Sequence, residues 1–196
     1  MIETGARRRE IDEVASELFH ANGYAATSVR DIARALDIQG ASLYAHVASK
    51  EDVLWSIVDS TATAFERRAD EAIEDAGTSD PVDRLAALVE AHVETVTSDP
   101  DRASVFVTEW RHLSPGRRDQ IRDRRDAYEQ RFRGLIEEGI AVGAFRQTDA
   151  AVAADFILSA LNGIPAWYRE DGRLSADRIA DHFVDLALRS LSEDHR

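Results

Sequence analysis

An all-α fold is predicted by three observations. Apolar residues recur at helical spacing along almost the whole chain, no window alternates apolar and polar residues as a strand would, and three of the four prolines open helices. Pro81, Pro100 and Pro115 each follow a residue suited to capping, in Asp80-Pro81, Asp99-Pro100 and Ser114-Pro115. Proline is tolerated at a first helical position because its missing N–H would have no helical partner there. The chain has 196 residues, 44% of them hydrophobic, which suffices for a sizeable core without metal or disulfide staples. The expected architecture is an N-terminal three-helix helix-turn-helix domain over residues 1–48 and a helical ligand-binding and dimerisation domain over 49–196. Absence of cysteine excludes disulfide scaffolds, thiolate metal sites and cysteine nucleophiles, and fits the reducing cytoplasm. With no signal-like segment and no 18-residue apolar run, a soluble protein with no membrane partner is expected.

The elements follow in order. Ile11, Val14, Ala15, Leu18 and Phe19 form one helical stripe, stopped by Gly23. Val29, Ile32, Ala33 and Leu36 make a short second helix capped by Thr27 or Ser28, and Leu43 and Val47 seat a third against it. Ser49 followed by Lys50, Glu51 and Asp52 opens a fourth, with acidic residues where the helix dipole favours them, and Val53, Leu54, Ile57, Val58, Phe65 and Ile73 carry it to about Asp75. Further helices are predicted over about 81–97, 100–112 and 115–142, the last closed by Gly143. Asp149 opens another that Pro165 kinks or ends, and Ser175 opens the final one to about Leu191. In 149–164 the polar residues after Asp149 are Asp155, Ser159 and Asn162, a narrow stripe. Residues 175–191 likewise carry more apolar width than one contact consumes. A symmetric dimer with a helical seam accounts for both, a fully buried helix pair within a monomer being the alternative.

The span Thr27 to Lys50 places two short helices around a turn centred on Asp37. Helix-turn-helix packing requires a small apolar contact between them, here Ala33 with Ile38 and Leu43, so that the second helix projects into a major groove about 12 Å wide. Gln39 can bond an adenine edge in pairwise fashion, Ser42 can donate or accept, Ala41 can touch a thymine methyl, and Gly40 keeps the leading turn slim. Thr27, Ser28, Arg30, Tyr44, His46 and Lys50 suit phosphate oxygens and would fix register. The net charge of −13 argues against an indiscriminate polycation, but residues 1–50 hold six basic against seven acidic residues, leaving 18 against 30 elsewhere. Lys50 is the only lysine of the chain. Arg7, Arg8 and Arg9 would form a basic arm ahead of the first helix.

At Thr27 to Ile32, Leu43 to His46 and Ser49 to Glu51 the sequence resembles the TetR family of one-component transcriptional repressors, over about the first 55 residues. It departs at Asp37, where a turn glycine is usual, at Gln39, where a Ser or Thr cap is usual, and at Val47, which replaces a common Phe. The resemblance implies a C-terminal unit that binds a small molecule and dimerises, with the ligand changing the separation of two DNA-reading heads. It implies no cofactor. Residues 162–175 and 124–129 are similar to the subgroup that responds to acyl-coenzyme A (acyl-CoA) thioesters. Phe106, Trp110, Tyr128 and Phe132 would bound an apolar pocket for an acyl group. Arg111, Arg124, Arg125, Arg169 and Arg173 would meet pyrophosphate, Trp167 would stack on adenine, and Asn162 lies in the same segment. The expected partners are thus a palindromic double-stranded operator, a second copy of the chain, and a small effector, acyl-CoA in class, whose binding releases the DNA.

No nucleotide loop, nucleophile elbow or zincin pattern occurs, so catalysis is not expected. The nearest constellation is a pair of Glu-x-x-His motifs, Glu17 with His20 and Glu109 with His112, as in helical di-iron carboxylate enzymes, which need glutamates from two further helices. A DNA-binding regulator controlled by a protein partner is the other alternative. His92, His182 and His195 have no evident partners in the sequence and read as surface or satisfied core residues.

Overall fold

The computed structural model describes residues 2–193, with side chains from residue 6 onward. Every regular element among these residues is helical: α1 (Ile2–Asn22), α2 (Val29–Ala35), α3 (Gly40–Leu43), α4 (Lys50–Asp75), α5 (Pro81–Ser98), α6 (Pro100–Thr108), α7 (Pro115–Ala141), α8 (Ala150–Asn162) and α9 (Ala176–Leu191), with 3-10 turns at Trp110–His112 and Ile164–Ala166. None of these helices is long and apolar enough to cross a membrane.

The starts are chemically specified. Asp99 accepts from the Arg102 N–H, Asp149 from those of Ala151 and Val152, and Ser175 from that of Arg178. Each supplies an acceptor to a donor that the first helical turn leaves without one. Gly23 and Gly143 end α1 and α7 in left-handed conformations, at φ 82° and 78°. Two boundaries differ from the sequence expectation. Helix α1 begins well before Ile11, so Arg7 to Arg9 lie within a helix and form no separate arm. Arg7 pairs with Glu10 and Arg8 with Asp12, three and four residues ahead, and these pairs stabilise the extra turns. The helix expected over 100–112 breaks after Thr108 and tightens into the 3-10 turn.

The helices assemble into two compact units, one from residues up to 62 together with 99–123, the other from 63–98 together with residues from 124 on. This division does not follow the boundary expected at residue 48, because α6 packs on α1 and the first turns of α4 and α7 pack with it. Ile11, Ala15, Phe19, Ile32, Leu43, Leu54 and Ile57 are fully buried in the first unit. In the second unit α5 packs chiefly on α9, and Leu85, Leu88, Val89, Phe132, Ile136 and Leu161 are fully buried. Helix α8 buries Ala154, Ile157, Leu158 and Leu161 but leaves Val152 and Phe156 exposed, the latter at 62%.

Candidate functional site

The helix-turn-helix is built from inside outward. Ile32 and Leu43 are fully buried and Ala33 nearly so. The Ile38 N–H donates to the Ala33 carbonyl at 2.9 Å, which fixes the turn between α2 and α3. Asp37 occupies the left-handed region at φ 52°, the conformation that the missing turn glycine would otherwise supply. Ser28 caps α2 reciprocally: its hydroxyl donates to Asp31 at 2.6 Å while the Asp31 N–H donates back to it. The Ser28 hydroxyl and backbone bonds hold the Asp31 carboxyl below the usual carboxylate range. Gln39 precedes α3 with extended backbone and makes no side-chain cap bond, so its amide is left for other partners. Gln39, Ala41, Ser42 and Tyr44 are exposed, Tyr44 at 57%, and Gly40 is half-buried with open space around its α-carbon. Arg30, Gln39 and Gly40 line one small surface cleft at this turn.

Two of the expected phosphate contacts, Thr27 and Lys50, and one arginine of the expected arm stand differently. Thr27 is buried, and its hydroxyl donates inward toward the Leu18 and Gly23 carbonyls at 3.2 and 2.9 Å. Its hydroxyl is therefore part of the α1–α2 turn, which corrects the expectation of a side-chain phosphate contact. Lys50 donates to the Tyr24 and Thr27 carbonyls at 2.8 and 2.7 Å, with Nζ 4.1 Å from the Tyr24 ring centroid. This ammonium closes the same turn while keeping a third proton, and burial draws its pKa below the usual lysine value. Arg8 donates to the Asp52 carbonyl at 2.7 Å and, at 3.5 Å, to that of His46, so this member of the supposed arm braces α4 from within. Asp12, its buried partner, also accepts from Ser56 at 2.6 Å, and burial pushes its carboxyl above the usual range despite both bonds. His46 itself is half-buried.

A second brace grips the start of α4. Arg117 bonds Asp52 at 2.6 Å, lies over the Trp55 ring and reaches Glu51, which also accepts from the Ser114 N–H at 3.0 Å. The Ser114 bond lowers the Glu51 pKa and the Arg117 bond that of Asp52. Tyr24 is held from the other side, its N–H donating to Glu109 and its ring stacked on His112 at 5.2 Å. Of the two Glu-x-x-His motifs, Glu109 and His112 belong to this packing, whereas His20 is bonded to Ser104 at 2.7 Å and Glu17 is exposed. Among the described residues no group of three or more metal-ligating side chains converges.

The expected effector residues divide between the two units. Tyr128 and Phe132 are in contact at 5.7 Å between ring centroids in the second unit. Phe106, Trp110 and Arg111 belong to the first unit, where the Arg111 guanidinium lies 5.3 Å from the Trp110 ring. Trp167 is 53% exposed and stacks on Phe183 of α9. Asn162 ends α8 half-buried, and Arg173 is exposed before α9. Arg124 is held by Glu66 through two bonds of 2.7 and 2.6 Å, so its charge is already matched.

Two family models match the chain: bacterial regulatory proteins, tetR family, over residues 11–57, and tetracyclin repressor-like, C-terminal domain, over residues 78–191. The chain belongs to the tetR family. As a member it is a transcriptional regulator built on a helix-turn-helix, not an enzyme. The TetR-family transcriptional regulator PfmR of Thermus thermophilus is 34% identical, with 93% of this chain and 99% of that one covered at a TM-score of 0.83. The repressor KstR2 of Rhodococcus jostii is 27% identical over 96% of this chain and 93% of its own. AibR, solved in complex with isovaleryl coenzyme A and operator DNA, is 29% identical, covering 92% and 97% at a TM-score of 0.81.

In this tetR-family chain the sequence reading missed Phe65 and His92, which complete the aromatic cluster of Tyr128 and Phe132. His92 lies 4.8 Å from Phe65 and 5.7 Å from Tyr128 between centroids, with Nδ1 3.2 Å from the Tyr128 hydroxyl. Of the two readings the sequence left for His92, surface or core, the core position is the one found, and Tyr128 is the partner that the sequence did not show. The register of His92 gave the signal, since Leu85, Leu88, Val89, His92 and Val96 form one buried stripe of α5. His182 is exposed on α9, and His195 lies outside the described residues.

Proposed function

We propose that the chain is a repressor that grips a palindromic operator as a homodimer and lets go when a small apolar effector, an acyl-CoA thioester in class, occupies the second unit. The observation that carries this reading is the helix-turn-helix whose buried side is fully packed while Gln39, Ala41, Ser42 and Tyr44 face outward with no structural duty to perform. Gln39, Gly40, Ala41 and Ser42 read base edges, and Ser28, Arg30, Tyr44, His46 and the third proton of Lys50 bind phosphates. Thr27 acts through the turn that it closes.

Dimerisation is supported by Val152 and Phe156 of α8 and Leu186 of α9, large apolar side chains left exposed, and by an apolar groove of about 380 Å³ that Phe156, Phe183 and Leu186 line. A two-fold axis through this face presents the same surface twice, as closed symmetry requires. The thioester class is supported by AibR, which was solved with isovaleryl coenzyme A and operator DNA together. Tyr128 and Phe132 hold the acyl body, and Asn162, Trp167 and Arg173 serve the polar end. Release follows if the thioester binds the DNA-incompetent form more tightly than the competent one, and its extent is set by that difference alone.

The test titrates acyl-CoA thioesters from acetyl to palmitoyl, isovaleryl included, against the selected operator complex. Release by at least one member is the expected result. If none releases DNA at millimolar concentration, the thioester assignment falls while the DNA reading stands.

A further inference from the structure

We propose that Nε2 of His92 is the polar anchor of the effector site, donating its hydrogen to a neutral carbonyl oxygen on an otherwise apolar molecule. The inference rests on the effector-responsive reading above and adds the chemistry that the ligand must carry. His92 is 2% exposed, and Nε2 is buried with no hydrogen-bond partner among the described residues. A buried donor left without a partner costs stability that a phenyl or leucyl side chain would not, so its retention calls for an explanation outside the free fold.

The surroundings define what can supply that partner. With the Tyr128 hydroxyl, 3.2 Å from Nδ1, taken as the donor of that bond, the hydrogen of the neutral imidazole falls on Nε2. Phe65, Tyr128 and Phe132 lie against the ring at centroid distances of 4.8, 5.7 and 6.3 Å, presenting ring faces and edges. Burial, together with the charge of Arg125, pushes the His92 pKa down to about 3, so the imidazole is neutral at physiological pH. A neutral donor among aromatic rings suits a ketone or similar carbonyl, which brings no charge into these buried surroundings.

The probes are decanoyl-CoA, its isomers bearing one ketone between carbons 3 and 9, and the free decanones. Binding is measured by calorimetry, and the ring nitrogens of histidine are followed by NMR in the intact protein. At least one oxodecanoyl-CoA is expected to bind about tenfold or more tighter than decanoyl-CoA, and a decanone to move the His92 Nε2 signal. In the paired variant His92→Leu/Tyr128→Phe, which removes both members of the internal bond together, the ratio of oxodecanoyl-CoA to decanoyl-CoA affinity is expected to fall to about one, whatever the absolute affinity of either. The wild-type NMR arm decides the matter if that variant fails to fold.

Thioesters that bind with no ketone preference, or a preference that survives the double substitution, overturn the anchor and leave the thioester reading intact. Decanones that move Nε2 while no thioester binds support the anchor and remove the thioester. Silence from every probe overturns the anchor, and the titration from acetyl- to palmitoyl-CoA then decides the thioester reading separately.

Discussion

Lys50 combines two demands in one side chain. Two of its protons close the turn between α1 and α2, and the third is assigned to a phosphate. Lys50→Met is therefore expected to lower unfolding free energy by about 1–2 kcal/mol in urea titrations, since two bonds from a charged group are lost at a partly exposed site. The same variant should bind DNA more weakly, with the salt slope reduced by about 1. Tyr44→Ala, an exposed change outside the core, should leave stability within about 0.5 kcal/mol and weaken DNA binding alone. If both variants leave affinity and salt slope untouched, the phosphate roles are wrong. His92 gives a second prediction at this scale. Its ordinary value is 6.5 and its folded value about 3, so between these limits the unfolded chain takes up a proton that the fold refuses. Stability is thus full above pH 6.5 and falls as the pH drops, by up to about 1.4 kcal/mol per unit from this one group. His92→Leu should flatten that acid slope in urea titrations between about pH 7 and 5, whereas an unchanged slope would refute the assignment. The exposed readers Gln39, Ser42 and Tyr44 were legible from residue type and register. The inward turn of Thr27 and the double grip of Lys50 were not, because both depend on carbonyls whose positions only the folded turn creates.

At the scale of elements, capping chemistry made most boundaries readable. Ser28, Asp99, Asp149 and Ser175 cap helices through the side-chain acceptors that their sequence positions suggest. The early start of α1 escaped because its first turns have no apolar stripe and are supported instead by Arg7–Glu10 and Arg8–Asp12. The break after Thr108 escaped because no glycine or proline marks it. Two substitutions test the local accounts. Asp37→Gly should raise unfolding free energy by about 1 kcal/mol, because a left-handed residue with a β-carbon is replaced by one without that penalty. Gly139→Ala should act in the opposite direction. A methyl there would overlap the ring of Phe145, which is 5% exposed and whose N–H, with that of Ala144, donates to the Gly139 carbonyl. Overpacking of this kind costs about 1–3 kcal/mol, and thermal unfolding reads it directly.

At the scale of the whole molecule, the apolar surplus of residues 149–164 and 175–191 was visible in the sequence, and the structure locates it at Val152, Phe156 and Leu186. Which aromatic residues share a site was not visible. Phe106 and Tyr128 belong to different compact units, and Trp167 pairs with Phe183, arrangements set by how helices distant in sequence pack. Phe156→Arg should leave helicity unchanged by circular dichroism, shift sedimentation toward the monomer and weaken operator binding in parallel. Selection of bound duplexes from random DNA tests the central claim most directly. Two identical readers predict a palindrome of about 16–20 base pairs, its half-sites roughly one helical turn apart. Enrichment of no sequence, or of a single unpaired half-site, would contradict it.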